Sequence, residues 1–161
     1  MKKNNGLMIL LGMVVILLSI GAMLFPLGFG FITKQGEGIV GYDFVFGNSA
    51  AGVNPANGGP YGGLITAFVF GCIAALFELV AFIFSFGNGG KKFAGFMYVL
   101  TGICFAVTAL LFFLAKQMIA GYANAANLTL GWGFIIAGAF AAAAALLSIG
   151  TGVLGLKSKE N

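Results

Sequence analysis

The sequence predicts an all-α integral membrane protein, an antiparallel bundle of four transmembrane helices with both termini in the cytoplasm. Of the 161 residues, 60% are hydrophobic and only 7% are charged, whereas charged residues make up about a quarter of a typical soluble domain. The apolar residues are concentrated in four long stretches. Eight lysines, with no arginine and no histidine, flank these stretches. Together these observations indicate one membrane-spanning domain covering residues 1–161.

Each of the four stretches is long enough to cross a bilayer, whose roughly 30 Å hydrocarbon core takes about 20 residues of helix. The predicted spans cover residues 7–29, 63–86, 93–115 and 130–156. The first follows a basic start like that of a signal peptide. Its uncharged stretch is too long for a signal sequence and no clear cleavage site follows, so we interpret it as a retained helix. Asn88-Gly89-Gly90 is a turn sequence, which predicts a helical hairpin between the second and third spans.

The distribution of lysine predicts the orientation of the spans. Six lysines fall on the side of the termini and of the loop between the second and third spans: Lys2, Lys3, Lys91, Lys92, Lys157 and Lys159. Lys34 and Lys116 fall on the other side. Because short loops rich in lysine stay in the cytoplasm, residues 30–62 and 116–129 are predicted to be outer loops.

The first outer loop is the longest segment outside the spans. Val40, Tyr42, Phe44 and Phe46 alternate with other residues and would share one face of a β-strand. We therefore expect a short strand or hairpin at the outer end of the bundle, although a glycine-rich loop without regular structure fits as well. Tyr42, Phe44 and Phe46 are the candidate contact residues of this loop. The second outer loop is alanine-rich and is expected to extend the third helix.

Aromatic residues near the ends of the spans support the same orientation. Tyr61, Tyr122 and Trp132 would lie at the outer interface. Amphipathic rings are enriched at that depth of a bilayer.

Small residues recur along the spans and predict close helix packing. On the fourth span one stripe contains Gly138, Ala141, Ala145, Ser148, Gly152 and Gly155, and Gly71 begins a similar stripe on the second. Lipid removes the hydrophobic drive for helix association, so close backbone contact through small residues matters more. The candidate packing residues are Gly71, Gly138, Ala141, Ala145 and Gly152. Alternatively, one of these stripes is not used for packing within the bundle and is available for self-association of the chain.

Glu78 is the one acidic residue well inside a predicted span. About 12 Å of helix separates it from the end of that span, and no lysine lies in the predicted spans to pair with it. Counting by depth places four further residues in the same inner half of the bundle: Tyr98, Thr101, Ser148 and Thr151. We predict that Glu78, Thr101 and Ser148 share hydrogen bonds. Such a layer is either a polar clasp that fixes helix register or a proton or cation site of a transporter-like subunit.

Other kinds of site find no support in the sequence. Without histidine the chain lacks the commonest catalytic base and haem ligand, and Cys72 and Cys104 lie in apolar stretches without the spacing of metal ligands. The glycine-rich residues 87–92 lack the preceding strand and the spacing of a phosphate-binding loop. We expect no catalytic residue, no cofactor and no metal. The expected partners are membrane lipids and other membrane proteins or further copies of the chain, and no nucleic acid, because the lysines flank spans instead of forming a basic face.

Four spans with a longer first outer loop resemble the layout of claudins and other tetraspan proteins. The loop has neither the tryptophan nor the cysteines of the claudin motif, so a paracellular barrier is not implied. Residues 41–47, Gly-Tyr-Asp-Phe-Val-Phe-Gly, are similar to a segment of small four-span bacterial membrane proteins of unknown function, and lysine without arginine suits a bacterial source. The function that we predict is a non-enzymatic scaffold or accessory subunit of the plasma membrane. The alternative is a small transporter or channel component that uses Glu78.

Overall fold

A computed structural model of the chain, which describes residues 2–33, 38–53, 56, 59–87, 89–121 and 125–157, contains four long helices. They are α1 (Lys2–Leu24), α3 (Gly62–Ser85), α4 (Lys91–Phe113) and α6 (Trp132–Leu156). Shorter elements lie between them: the helices α2 (Gly41–Phe46) and α5 (Ala115–Met118), and the strands β1 (Phe29–Thr33), β2 (Gly38–Val40) and β3 (Leu128–Leu130). Each long helix has the length and the apolar character to cross a membrane. The predicted fold class, a four-helix membrane protein, is confirmed.

The long helices form a closed ring in the order α1, α3, α4, α6. Each packs against its two neighbours in the ring, so α3 lies diagonally opposite α6 and α1 lies diagonally opposite α4. A methyl group added at Gly155 would lie 2.9 Å from the Lys91 carbonyl oxygen and 3.0 Å from Met8 Cε. The start of α1, the start of α4 and the end of α6 therefore meet at one end of the bundle.

At the opposite end the two loops join in one three-stranded sheet. β1 is the central strand and pairs antiparallel with β2 on one side and with β3 on the other. In the second pairing Phe31 lies opposite Leu130 and Ile32 opposite Thr129. The Thr129 hydroxyl also donates to the Ile32 carbonyl oxygen at 3.2 Å. We call β1, β2, β3 and α2 together the sheet cap.

The short strand predicted at the outer end of the bundle is present as β2, but it ends at Val40 and does not continue to Phe46 as the alternating residues suggested. Val40 lies in β2, but the chain then turns into the helix α2, which ends at Gly47 with φ of 86°. Tyr42 and Phe46 are four residues apart and become neighbours on this helix, with ring centroids 4.6 Å apart. The same residues fit both patterns: two aromatic rings four residues apart lie on one face of a helix, just as alternating residues lie on one face of a strand. The aromatic pair on the helix therefore replaces the shared strand face that was expected.

Aromatic rings hold the sheet cap to the end of the bundle. Phe44 is fully buried, and its ring centroid lies 4.6 Å from that of Phe31 and 5.9 Å from that of Tyr61. Phe31 in turn packs on Phe134 of α6 at 5.2 Å. Phe44 is thus a core residue of the cap and not an outward contact, which corrects its predicted role.

The ends of the predicted spans shift where the cap begins. The helix α1 ends at Leu24, and a 3-10 turn containing Pro26 leads into β1, which takes up Phe29. At the other loop α6 begins only at Trp132, because the preceding residues form β3. The predicted extension of the third span is present as α5, which follows α4 after one residue.

Of the predicted interface aromatics, Trp132 is 67% exposed, whereas Tyr61 is buried in the cap. Tyr122 and Asn88 lie outside the described residues. The aromatic belt prediction therefore fits Trp132 better than it fits Tyr61, whose ring is needed for packing.

Candidate functional site

Glu78 lies in the interior of the bundle, between two apolar clusters. One turn away on α3, Ala74 belongs to an apolar cluster at the centre of the bundle. One turn away on the other side, Ala81 belongs to an apolar cluster at the lysine-rich end. The side chain of Glu78 has no exposed surface. The carboxyl group is therefore enclosed by the four helices and does not face lipid.

Tyr98 brings α4 into contact with two other helices near Glu78. The hydroxyl oxygens of Tyr98 and Ser85 lie 3.4 Å apart, and a methyl group at Gly12 of α1 would clash with the Tyr98 hydroxyl. Tyr98 also lies within electrostatic range of Glu78. The side chain of Tyr98 thus crosses the bundle diagonally, from α4 to α1, between Glu78 and the lysine-rich end of the bundle.

Thr101 lies one turn beyond Tyr98 on α4, at the level of Glu78. Further along the same interface, a methyl group at Gly71 of α3 would lie 3.5 Å from Thr108 Cγ2. The helices α3 and α4 are antiparallel. Glu78 on α3 and Thr101 on α4 therefore both lie between the Gly71–Thr108 contact and the Ser85–Tyr98 contact. Thr101 is also fully buried.

Ser148 is level with Thr101 on the other side of α4. A methyl group at Gly102 would lie 2.9 Å from the Ala145 carbonyl oxygen and 3.2 Å from the backbone nitrogen of Ile149. This contact places Thr101 beside the turn of α6 that carries Ser148. Ser148 is fully buried too, and the layer therefore draws on α3, α4 and α6. We call Glu78, Thr101 and Ser148 the polar layer.

The polar layer does not contain the hydrogen bonds that the sequence analysis predicts. The Ser148 hydroxyl faces the Glu78 carboxyl group closely enough to interact with it, but outside ordinary hydrogen-bond geometry. Within the part of the chain that the structure describes, four buried oxygen atoms have no hydrogen-bond partner: Glu78 Oε1, Glu78 Oε2, Thr101 Oγ1 and Ser148 Oγ. The residues are therefore brought together without forming a satisfied clasp.

Other hydroxyl groups in the long helices are satisfied locally. Each donates to a carbonyl oxygen three or four residues earlier in its own helix, at 2.7 to 3.0 Å: Ser19, Thr66, Ser85, Thr108 and Thr151. Thr151, which was predicted to belong to the layer, is thereby occupied by the Leu147 carbonyl oxygen. The hydroxyls of Thr101 and Ser148 are not bound in this way.

Small residues position the polar layer by bringing α4 and α6 into backbone contact. A methyl group at Gly152 would lie 2.7 Å from the Gly95 carbonyl oxygen, and one at Gly95 would lie 2.8 Å from that of Gly152. Gly102 meets the backbone at Ala145 in the same way. Gly152 and Ala145 are among the packing residues predicted from the sequence, whereas Gly95 and Gly102 are not. Their spacing of seven residues, two turns of one helix face, is the pattern that could have revealed them.

The remaining predicted packing residues also lie between helices. A methyl group at Gly71 would clash with Met23 Sδ of α1, and one at Gly138 would lie 2.9 Å from the Phe113 ring of α4. Ala141 is fully buried in the central cluster. These positions tie α3 to α1 and α6 to α4 above the polar layer.

Two of the predicted loop residues are exposed. Tyr42 and Phe46 have 49% and 52% of their surface exposed, and we call them the aromatic pair. The Phe46 ring lies 5.7 Å from that of Phe68, in the second turn of α3. The pair therefore projects beside the end of a membrane-spanning helix.

Comparison of the chain with protein-family models, with curated proteins and with solved structures finds no match. The resemblance to tetraspan proteins in layout stays a prediction for that reason. Among the residues described, no three His, Cys, Asp or Glu side chains are grouped as metal ligands. Function is therefore inferred from the sheet cap and the polar layer.

Proposed function

We propose that this multi-pass membrane protein is a non-enzymatic scaffold or accessory subunit of a bacterial plasma membrane. It contacts other membrane proteins, or further copies of itself, through the sheet cap. The observation that carries the proposal is the exposure of the aromatic pair, Tyr42 and Phe46, on a cap in which the Phe31 and Phe44 rings are buried. Exposed aromatic side chains on a preformed surface are the residues that contribute most to protein interfaces.

The fixed position of the cap supports this proposal. Pairing of β1 with β3 joins the two loops, and the Tyr61 backbone N–H donates to the Phe44 carbonyl oxygen at 3.0 Å, which ties α2 to the start of α3. A surface already ordered before binding loses little conformational entropy when a partner binds. The aromatic pair is therefore suited to recognition.

The proposed orientation places the cap outside the cell. It follows from the lysines, six of which belong to the end of the bundle formed by both termini and the loop before α4, against two at the cap end. Lysine is retained on the cytoplasmic side of short loops. The partner would therefore meet the cap at the outer face of the membrane.

Site-specific photo-crosslinking in intact cells tests the scaffold proposal. A photoreactive phenylalanine analogue replaces Phe46, and the matched control carries it at Phe96, a residue of α4 that is 51% exposed. We expect discrete protein adducts from position 46, which mass spectrometry assigns to a partner or to a second copy, and only lipid adducts from position 96. Lipid adducts alone from both positions would contradict the proposal.

A second candidate function is a small transporter or channel component that uses Glu78. The specific observation in its favour is the polar layer, because unpaired polar groups buried in a membrane protein commonly belong to an ion or substrate pathway. Sodium flux into proteoliposomes that requires Glu78, and that disappears in the Glu78→Gln variant, would support it. If the folded wild-type protein shows no sodium flux, the transporter or channel function is contradicted.

A further inference from the structure

We propose that the polar layer is a binding site for one small monovalent cation, such as Na⁺, with oxygen ligands from Glu78, Thr101 and Ser148. The inference goes beyond the scaffold proposal. It also supplies a ligand for the second candidate function, but binding requires neither transport nor a protein partner. The site lies at the centre of the helix ring, where α3, α4 and α6 meet.

The first argument is the set of four unpaired oxygen atoms. Both carboxylate oxygens of Glu78 and the hydroxyl oxygens of Thr101 and Ser148 are buried without a hydrogen-bond partner among the described residues, and all three side chains are fully buried. Buried polar groups are almost always paired, and an exception calls for an explanation such as an ion. A single ion bound by all four atoms, which come from three neighbouring helices, would explain why each of them has no hydrogen-bond partner.

The second argument is the contrast among hydroxyl groups. Five other serine and threonine hydroxyls in the long helices donate to their own helix backbone, an arrangement open to any such residue in a helix. Thr101 and Ser148 leave this bond unmade, and they are the two that lie beside Glu78. Their oxygen atoms therefore remain available to a ligand between the helices.

The chemistry of the donors selects the ion. Oxygen atoms alone, without nitrogen or sulfur, favour hard cations. One carboxylate carries one negative charge, so a monovalent cation neutralises the layer, whereas a divalent cation would leave a net charge within the hydrocarbon region, which is costly.

A proton is the competing occupant. Protonation of Glu78 would also neutralise the layer, but it provides a single O–H donor for a layer with four unpaired oxygen atoms. The hydroxyls of Thr101 and Ser148 would gain little from it. A cation uses all four oxygens at once, and this difference makes the two occupants separable by substitution of the hydroxyl groups.

The test is equilibrium binding of ²²Na⁺ to the full chain purified in detergent, with K⁺ and choline as competitors. We expect saturable binding of one ion per chain, no competition by choline and no binding by the Glu78→Gln variant. Thr101→Val and Ser148→Ala should each weaken binding by about tenfold or more, as expected for loss of a ligand to a charged group. Thr151→Val is the matched control, since that threonine is equally buried but bound to its own helix, and it should bind like the wild type.

Several outcomes would overturn the inference. Absence of Na⁺ binding by the monodisperse wild-type protein would do so without reliance on any variant. Equal losses in Thr101→Val and Thr151→Val would show a general effect of packing. Sodium binding that persists in Glu78→Gln would place the ion elsewhere. Failure of the cap to crosslink a partner leaves each of these measurements unaffected, so the site and the scaffold proposal stand or fall separately.

Discussion

At the scale of single residues, the depth of Glu78 could be predicted from the sequence, whereas its contacts could not. Counting turns from the ends of the spans predicts that Thr101 and Ser148 lie at its level. Whether these side chains form hydrogen bonds depends on differences of a few tenths of an ångström in their separation. That separation is set by how closely the backbones of α4 and α6 approach each other. Gly95, the residue that allows this approach opposite Gly152, does not stand out among the 27 glycines of the chain.

Replacement of Glu78 by methionine separates a clasp from a binding site. In sodium-free buffer we expect the Glu78→Met variant to be no less stable than the wild type. Its free energy of unfolding should be higher by up to about 3 kcal/mol, because an apolar side chain of similar shape removes unpaired buried oxygens. Sodium should stabilise the wild type and not the variant. Thermal unfolding in detergent, with and without Na⁺, measures both effects.

The control for this substitution is Leu79→Met, at a neighbouring position that is 48% exposed toward lipid. It should leave both the stability and the response to sodium unchanged. A clear loss of stability in Glu78→Met without sodium would show that Glu78 forms a structural clasp, contrary to the proposed site.

At the scale of elements, the interface between α4 and α6 determines the geometry of the layer. Backbone atoms meet directly where Gly95 faces Gly152, and Gly102 packs beside the turn that holds Ser148. In lipid such close contacts replace hydrophobic burial as the source of helix association. A side chain inserted at this interface should therefore separate the two helices.

Substitution of two glycines of α6 tests this interface. A methyl group at Gly152 would lie 2.7 Å from a backbone oxygen of α4, whereas one at Gly150 would meet no other heavy atom within 4 Å in the described part of the chain. We expect Gly152→Ala to lower the free energy of unfolding by about 1–3 kcal/mol, the usual cost of overpacking. Gly150→Ala should cause no loss, since alanine favours helix.

Unfolding in a denaturing detergent, followed by circular dichroism, provides the comparison. Similar stabilities for the two variants would show that α4 and α6 do not meet through backbone contact at this point. Because the two positions belong to the same helix and carry the same change, helix propensity cancels between them.

Short elements were harder to predict than spans. Hydropathy predicted all four long helices because a span is specified locally, by about 20 consecutive residues. The strand β3 has only three residues and pairs with β1, almost a hundred positions earlier, so nothing in its own sequence specifies it. The alternation from Val40 to Phe46 predicts a strand where the helix α2 forms, although Tyr42 and Phe46 also suit neighbouring turns of a helix.

At the scale of the whole molecule, the two ends of the bundle differ in structure. The sheet cap closes one end, and the termini with the loop before α4 form the other. Met8, Lys91 and Gly155 meet at that second end, the end to which the sequence assigns six of the eight lysines. The proposed scaffold surface, and the depth of the polar layer in the membrane, both depend on four crossings with the cap outside.

Labelling of single cysteines in intact cells tests this topology most directly. In a chain with Cys72 and Cys104 replaced by alanine, cysteine is introduced at Ser49 or Ala126 at the cap end, or at Gly89 at the other end; all three positions are exposed. A membrane-impermeant thiol reagent should label positions 49 and 126 from outside, and position 89 only after the cells are permeabilised. Labelling of positions 49 and 89 from the same side would contradict the four-span arrangement.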